Sequence, residues 1–217
     1  MIGNFVYAPP DVPLDVIHVD DDILLLNKPH DLLSVPGRPV EHKDCLSHRA
    51  RAAFPTSLQV HRLDMATSGL MIFAMNPAAQ RHIGLQFERR KVDKSYQALV
   101  WGQPADTGSV DLPLIVDWPN RPLQMVDHER GKSAHTDWQV IDREADFARV
   151  RLTPTTGRSH QLRVHMLAIG HPILGDRFYA KGAALAARDR LCLHAEMLEF
   201  HHPSDGRRVR FSVDCPF

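Results

Sequence analysis

Several hydrophobic rhythms run along the chain. Residues 70–75, LMIFAM, are an unbroken apolar run, which predicts a strand buried on both faces. VIHVD and DILLLNKP flank Asp20-Asp21-Asp22, the pattern of two strands joined by a hairpin turn. KSYQALVWG alternates with period two, placing Tyr96, Ala98 and Val100 on one face and Gln97, Leu99 and Trp101 on the other. Residues 148–152 alternate as well, with Val150 and Leu152 inward and Arg149 and Arg151 outward. Shorter strands are predicted near 110–115, 134–141, 191–196 and 209–213.

Helical signals sit between these runs. Asn76-Pro77 is an N-cap followed by proline at the first helical position, and predicts a helix to about Arg90 with Ala79, Ile83 and Phe87 on one face. Asp44 predicts the cap of a short helix over 46–54, ended by Pro55. Ser159 predicts the cap of a helix through Ile169, stopped by Gly170 and Pro172. Its expected buried stripe is Leu162, Met166 and Ile169, with His160, Arg163 and Leu167 on another. Thr67-Ser68-Gly69 and Thr155-Thr156-Gly157 read as turns, and residues 1–14 as an extended, proline-rich lead-in. Strands dominate, and helices intervene without strict βαβ alternation. The predicted class is α+β: a single domain over 1–217, built on a mixed, largely antiparallel sheet flanked by helices and loops.

Composition narrows the setting. A chain of 217 residues with 43% hydrophobic and 24% charged residues is ordinary for a globular domain. No basic, apolar leader opens it, and the longest aliphatic run, residues 23–26, is far short of a membrane helix. Cys45, Cys192 and Cys215 are odd in number and lack metal spacing, so reduced thiols in a cytoplasm are expected. Net charge is zero, but its distribution is uneven. The first 22 residues hold five Asp and no Lys or Arg, whereas residues 149–163 hold four Arg and no acid. Residues 81–94 carry five cations against Glu88 and Asp93. Such segments are either solvated surface or a basic face.

The candidate chemistry centres on VHRLDMATSG, residues 60–69. A lone carboxylate such as Asp64 serves as nucleophile or base if a cation or several donors keep it ionised. An Asp before Thr-Ser-Gly also reads as a turn former. Arg163 lies in TTGRSHQLRVH, residues 155–165; it cannot lose its proton, so if buried it needs an anion, and Asp64 is a candidate. Tyr96 reads either as a sheet tyrosine or as a flat ring for stacking a base, with a phenol for proton transfer. The fourteen histidines show no HExxH, and neither His160/His165 nor His201/His202 has i, i+4 spacing, so no metal is expected. G-x-G-x-x-G, P-loop and G-x-S-x-G patterns are absent, which removes the usual markers of nucleotide cofactors and α/β-hydrolases.

Together, NKPHDLLSVPG, HRLDMATSGLMIFA, KSYQALVWG, GRSHQLRVHMLAIGHPILGDRFY and LCLHAEMLEFHHP resemble, in order, the motifs of the RluA family of RNA pseudouridine synthases, over residues 27–203. LLSVPGR, EHKD, DLPLIVDWPNRP and HPILGDRFYA look most like the short family member that acts on both 23S rRNA and tRNA, and an S4 RNA-binding domain is not expected. The resemblance implies the pseudouridine synthase fold and a cofactor-free, metal-free isomerase acting on uridine-containing stem-loops, for which a monomer suffices. By the same resemblance Asp64 is the essential aspartate, acting at uridine C1′ as nucleophile or at C2′ as base, with both routes open. Tyr96 stacks on the target base and is the candidate to take the C5 proton; Arg163 pairs with the aspartate; Arg62 fills the space left by the flipped nucleotide. His61, Arg89, Arg90, Lys94, Arg158 and His160 complete the expected RNA contacts. The alternative is a non-catalytic RNA-binding or RNA-folding protein on the same fold.

Overall fold

The computed structural model describes residues 6–217; the first five residues of the expected lead-in lie outside the described residues, and 6–14 carry no regular element. In chain order the elements are strands β1 (Asp15–Val19) and β2 (Ile23–Lys28), helix α1 (Leu46–Ala53), strands β3 (Leu58–Gln59) and β4 (Ser68–Ala74), and helix α2 (Pro77–Glu88). Then come strands β5 (Asp93–Trp101), β6 (Thr107–Asp111), β7 (Leu114–Val116), β8 (Gln124–Val126), β9 (His135–Arg143) and β10 (Phe147–Pro154). Helices α3 (Gln161–Ala168) and α4 (Gly182–Ala186) and strands β11 (Leu193–His201) and β12 (Arg208–Ser212) complete the set. The fold is α+β with largely antiparallel pairing. Packing divides the chain into two compact units: Lys94–His194 with Phe217, and the residues up to Asp93 with Ala195–Pro216.

In the unit built on β4, strands run in the order β1-β2-β4-β11, with β12 on β11 and β3 on β4. As the apolar run predicts, every residue of β4 is buried. Its Leu70, Ile72 and Ala74 join Ile23 and Leu25 of β2, Ala79 and Ile83 of α2, and Leu198 and Phe200 of β11 in one core. Each buried Leu, Ile or Phe of this core contributes about 1.5–3 kcal/mol. Helix α2 begins as expected, with the Asn76 side chain accepting from the Ala79 amide at 2.9 Å. Two local readings are corrected. Asp44 does not cap α1: the cap residue is Cys45, and the Asp44 carboxylate is held by the Arg49 fork at 2.7 and 2.8 Å. The turn expected at 67–69 falls earlier, closed by the Thr67 amide on the Asp64 carbonyl at 3.1 Å, because Ser68 and Gly69 already belong to β4. Gly69 has φ +114° and lies so close to the Ala195 backbone that a Cβ would stand 2.2 Å from the Ala195 carbonyl oxygen. Only glycine fits there.

In the unit built on β5, strands run β5-β10-β9-β6, beside the separate hairpin β7–β8. Tyr96 faces Leu152 across the β5–β10 ladder. Leu114, Ala134, Val164 and Tyr179 form a small core that joins this hairpin to α3. Helix α3 departs from expectation at both levels. It starts at Gln161, and the cap residue is His160, in the left-handed region at φ +52°, rather than Ser159. Gln161 supplies the tie instead: its Oε1 accepts from the Arg158 amide and the Thr156 hydroxyl, and its Nε2 donates to the His135 carbonyl and Thr136 Oγ1. Residues 161–166 are all buried, so α3 carries no single apolar stripe, and Leu167 is exposed. The polar members of this helix are buried because side-chain and backbone partners surround them. Among the described residues no helix is long and apolar enough to cross a membrane.

Candidate active site

Asp64 stands in the loop between β3 and β4, half-buried, and the backbone on each side of it is fixed by side chains from residues 27–37. Before it, the Ser34 hydroxyl donates to the Leu63 carbonyl at 2.6 Å and accepts from the Leu63 amide at 3.1 Å. After it, the Lys28 ammonium donates to the Met65 carbonyl at 2.8 Å and to the carbonyls of Pro29 and Leu32 at 2.9 and 2.8 Å. Lys28 is fully buried, which an ammonium tolerates only when its three protons have acceptors. A carboxylate on a loop clamped at both neighbours keeps its direction, which a reacting group needs. Neither Lys28 nor Ser34 was singled out from sequence. The available signal was a lysine closing a buried apolar strand, immediately before proline.

The neighbours of Asp64 divide by direction. Arg62 is exposed, where it can meet a bound strand. His61 turns inward: its Nε2 accepts the Ile72 amide at 3.0 Å and its ring stacks on Phe87 with centroids 4.8 Å apart. An imidazole that accepts at Nε2 is neutral there and carries its proton on Nδ1. Arg89 and Arg90 are exposed at the end of α2, Arg89 as its cap residue and Arg90 with φ +56°.

In the β5 unit, Tyr96 is half-buried between the buried Ser95 and the Ala98–Val100 run. Arg163 is 4% exposed. Its Nε and one Nη fork onto the fully buried Asp176 at 2.8 and 2.7 Å, and its Cζ lies 5.0 and 5.1 Å from the ring centroids of Phe178 and Tyr179. Asp176 also accepts from the Phe178 and Tyr179 amides. Asp176 is thus a buried anion for Arg163 in addition to the Asp64 that the sequence offers. Asp176 was in view, within HPILGDRFY, but nothing in its spacing joins it to Arg163. His160 Nδ1 lies 2.7 Å from the Tyr179 hydroxyl, which itself accepts the Gln124 amide; Arg158 donates to the Ser133 carbonyl and Lys94 to the Thr156 carbonyl. These cations rim the loop before α3. At the tip of β7–β8, Trp118 is 65% exposed with the Arg121 guanidinium 4.0 Å over its ring, a surface aromatic that periodicity did not flag.

Comparison with known proteins meets this geometry. Residues 22–168 match the family model described as RNA pseudouridylate synthase. The chain is 54% identical over 214 residues to the dual-specificity RNA pseudouridine synthase RluA of Escherichia coli K12, covering 97% of this chain and 98% of that one. It is 51% identical over 218 residues to the protein of the same name from Vibrio vulnificus, covering 97% and 87%. Among solved structures, human RNA pseudouridylate synthase domain containing 1 superposes with a TM-score of 0.80 at 28% identity, over 97% of this chain and 87% of that one. The motifs around Asp64, Tyr96 and Arg163 and the match over most of the chain lead to one conclusion: the chain belongs to the RNA pseudouridylate synthase family, isomerases that make pseudouridine in RNA.

Proposed function

We propose that the protein isomerises specific uridines of structured stem-loops in both 23S rRNA and tRNA, in the cytoplasm, with the two units serving one catalytic domain and Asp64 as the reacting carboxylate. The observation that carries the assignment of Asp64 is its doubly clamped loop, with Ser34 on Leu63 and Lys28 on Met65. The dual substrate rests on the dual specificity for which the relatives are named and on the resemblance of the motifs.

The reaction breaks the N1–C1′ bond and makes a C5–C1′ bond, while the proton lost from C5 is balanced by one gained at N1. No electrons are exchanged and no water is consumed. One carboxylate that attacks C1′, or removes a C2′ proton, meets that demand without a cofactor or metal. The target base must leave its stack, at a cost of a few kcal/mol. Stacking on the Tyr96 ring returns roughly 1–3 kcal/mol. The exposed Arg62 is assigned the vacated space, and Arg89, Arg90, Lys94 and Arg158 the phosphates. Arg163 is assigned to Asp64. Asp176 takes two of the five guanidinium donors, fixing the plane from which the others act.

Asp64→Asn tests the assignment. The variant is expected to release no tritium from C5-labelled RNA while binding it with unchanged Kd. Turnover at the parent rate would remove Asp64 from the chemistry.

A further inference from the structure

A concave site lies in the β4 unit. Side chains alternate along a strand. Leu70, Ile72 and Ala74 enter the core with α2, so Phe73 turns to the opposite face, toward α1. There a cavity of about 510 Å³ opens between α1 and the β3–β4 pair, within the usual size of ligand sites, about 300–1,000 Å³. Along β4, Phe73 is five residues, about 17 Å, beyond Ser68, and Pro36 and Gln59 also line the cavity.

The lining is one-sided in charge. Ser47, His48 and Arg51 form a stripe on α1 at i, i+1 and i+4, and Ser57 faces them from the loop before β3. No Asp or Glu lines the cavity; Ala52 and Phe73 give it an apolar wall. Arg49, two residues from Arg51, is committed to Asp44 and to the Pro10 and Val12 carbonyls. By contrast, Arg51 and His48 have no ion pair or side-chain hydrogen bond among the described residues, and both are exposed. The Ser57 hydroxyl is the second observation. Ser57 is 3% exposed, and its Oγ has no hydrogen-bond partner among the described residues. An unmet buried hydroxyl is destabilising, and native proteins keep few of them.

We propose that this cavity binds a nucleotide unit of the RNA strand other than the reacting uridine. The phosphate meets Arg51 and His48, the Ser57 hydroxyl, buried in the cavity wall, turns to it by a rotation about χ1, and the sugar or base edge packs on Ala52 and Phe73. A cation, an imidazole and two hydroxyls with no carboxylate select an anion, and the apolar wall selects one with a flat or carbon-rich body. The inference rests on the chain acting on RNA and adds a contact separate from Asp64.

The test is the Kd of a stem-loop RNA, measured by filter binding across a salt series for parent, Arg51→Ala, Ser57→Ala and the charge control Arg207→Ala. Arg51→Ala is expected to weaken binding about tenfold, the scale of one charge-assisted contact, and to make the log–log salt slope shallower by about 0.7–0.9. Ser57→Ala is expected to weaken it about threefold with the slope unchanged. Its melting temperature should hold or rise, since the variant removes an unmatched buried hydroxyl; a Ser57 that only supports the fold would lose stability instead. Arg207→Ala should match the parent, and an equal loss there would reduce the Arg51 effect to general charge and overturn the assignment. Unchanged Kd and slope in both cavity variants also overturn it. If, in addition, millimolar UMP shifts amide NMR signals around residues 47–57, the cavity belongs to a free nucleotide rather than to the RNA strand. Tritium release by the parent is read separately, so a failure of the isomerase reading and a failure of this contact are distinguishable.

Discussion

At the residue scale, one buried cation fixes the candidate catalytic loop. Lys28 holds a loop: its ammonium saturates three carbonyls, one of them directly after Asp64. Lys28→Met keeps most of the side-chain volume but leaves those carbonyls without donors, and is expected to cost about 3 kcal/mol or more in urea unfolding. An unfolding midpoint equal to the parent's would show that the clamp is dispensable. Tyr96, half-buried on β5, has a phenol and a ring with separable roles. Tyr96→Phe keeps the ring and should bind RNA normally. If the phenol removes the C5 proton, the variant cleaves the glycosidic bond and stalls before C5 release; a near-parent rate of tritium release would leave Tyr96 a stacking role alone. His61 shows how position in a motif and direction in space differ. It stands between Val60 and Arg62 in the same motif, yet its ring accepts the Ile72 amide and stacks on Phe87 inside the β4 unit.

At the element scale, α3 and the loop after it form a platform for a guanidinium. Asp176 and the Phe178 and Tyr179 rings hold Arg163 from two directions. Arg163→Lys replaces a planar fork with a point charge that cannot satisfy both Asp176 oxygens in that geometry. A fall of at least about 100-fold in kcat is expected, with RNA Kd within a few-fold. Parent-like kinetics would mean that the fork serves packing alone. The long elements were legible because periodicity decided them: β4 as an unbroken apolar run, α2 from its Asn-Pro start, β5 and β10 from alternation. Helix α3 was legible as a helix but not in its facing. A period of 3.6 distinguishes a buried stripe only when the other side meets water, and α3 is enclosed through its first six residues. Cap residues misled for a related reason. Asp44 and Ser159 have the right chemistry for caps, but Arg49 claims the first and Gln161 ties the loop in place of the second. Such competition among partners is set by tertiary packing, which the local sequence does not encode.

At the scale of the whole molecule, zero net charge coexists with exposed cations at Arg62, Arg89 and Arg90 and with an acidic start to the chain. Unevenness, rather than total charge, is what an RNA strand meets within a Debye length. Stability against pH follows from buried groups. Burial pushes the His165 imidazole below its ordinary 6.5, outweighing the opposing bond in which Nε2 donates to the Leu112 carbonyl. His135 nearby adds to the lowering and Asp111 opposes it. The folded state thus holds His165 neutral while the unfolded chain protonates it near 6.5. The stability it contributes is complete above that pH and is lost as pH falls below it through the lower folded value. Asp20 acts in another window. Burial pushes its carboxyl up, but the His18 bond, the Asp22 and Ile23 amides and His202 together hold it well below the usual 3.8, so its contribution is lost only under stronger acid. The melting temperature is therefore expected to fall between pH 7.5 and 5.5, with a shallower fall in His165→Gln. An equal slope in that variant would assign the dependence to other groups.

The catalytic role of Asp64 is tested most directly by tritium release from RNA labelled at uridine C5, with 23S rRNA and unmodified tRNA assayed separately. The expected result is release from both RNAs by the parent and from neither by Asp64→Ala. Release from one RNA would keep the isomerase and contradict the dual substrate. Release that survives in Asp64→Ala would contradict the account at its centre.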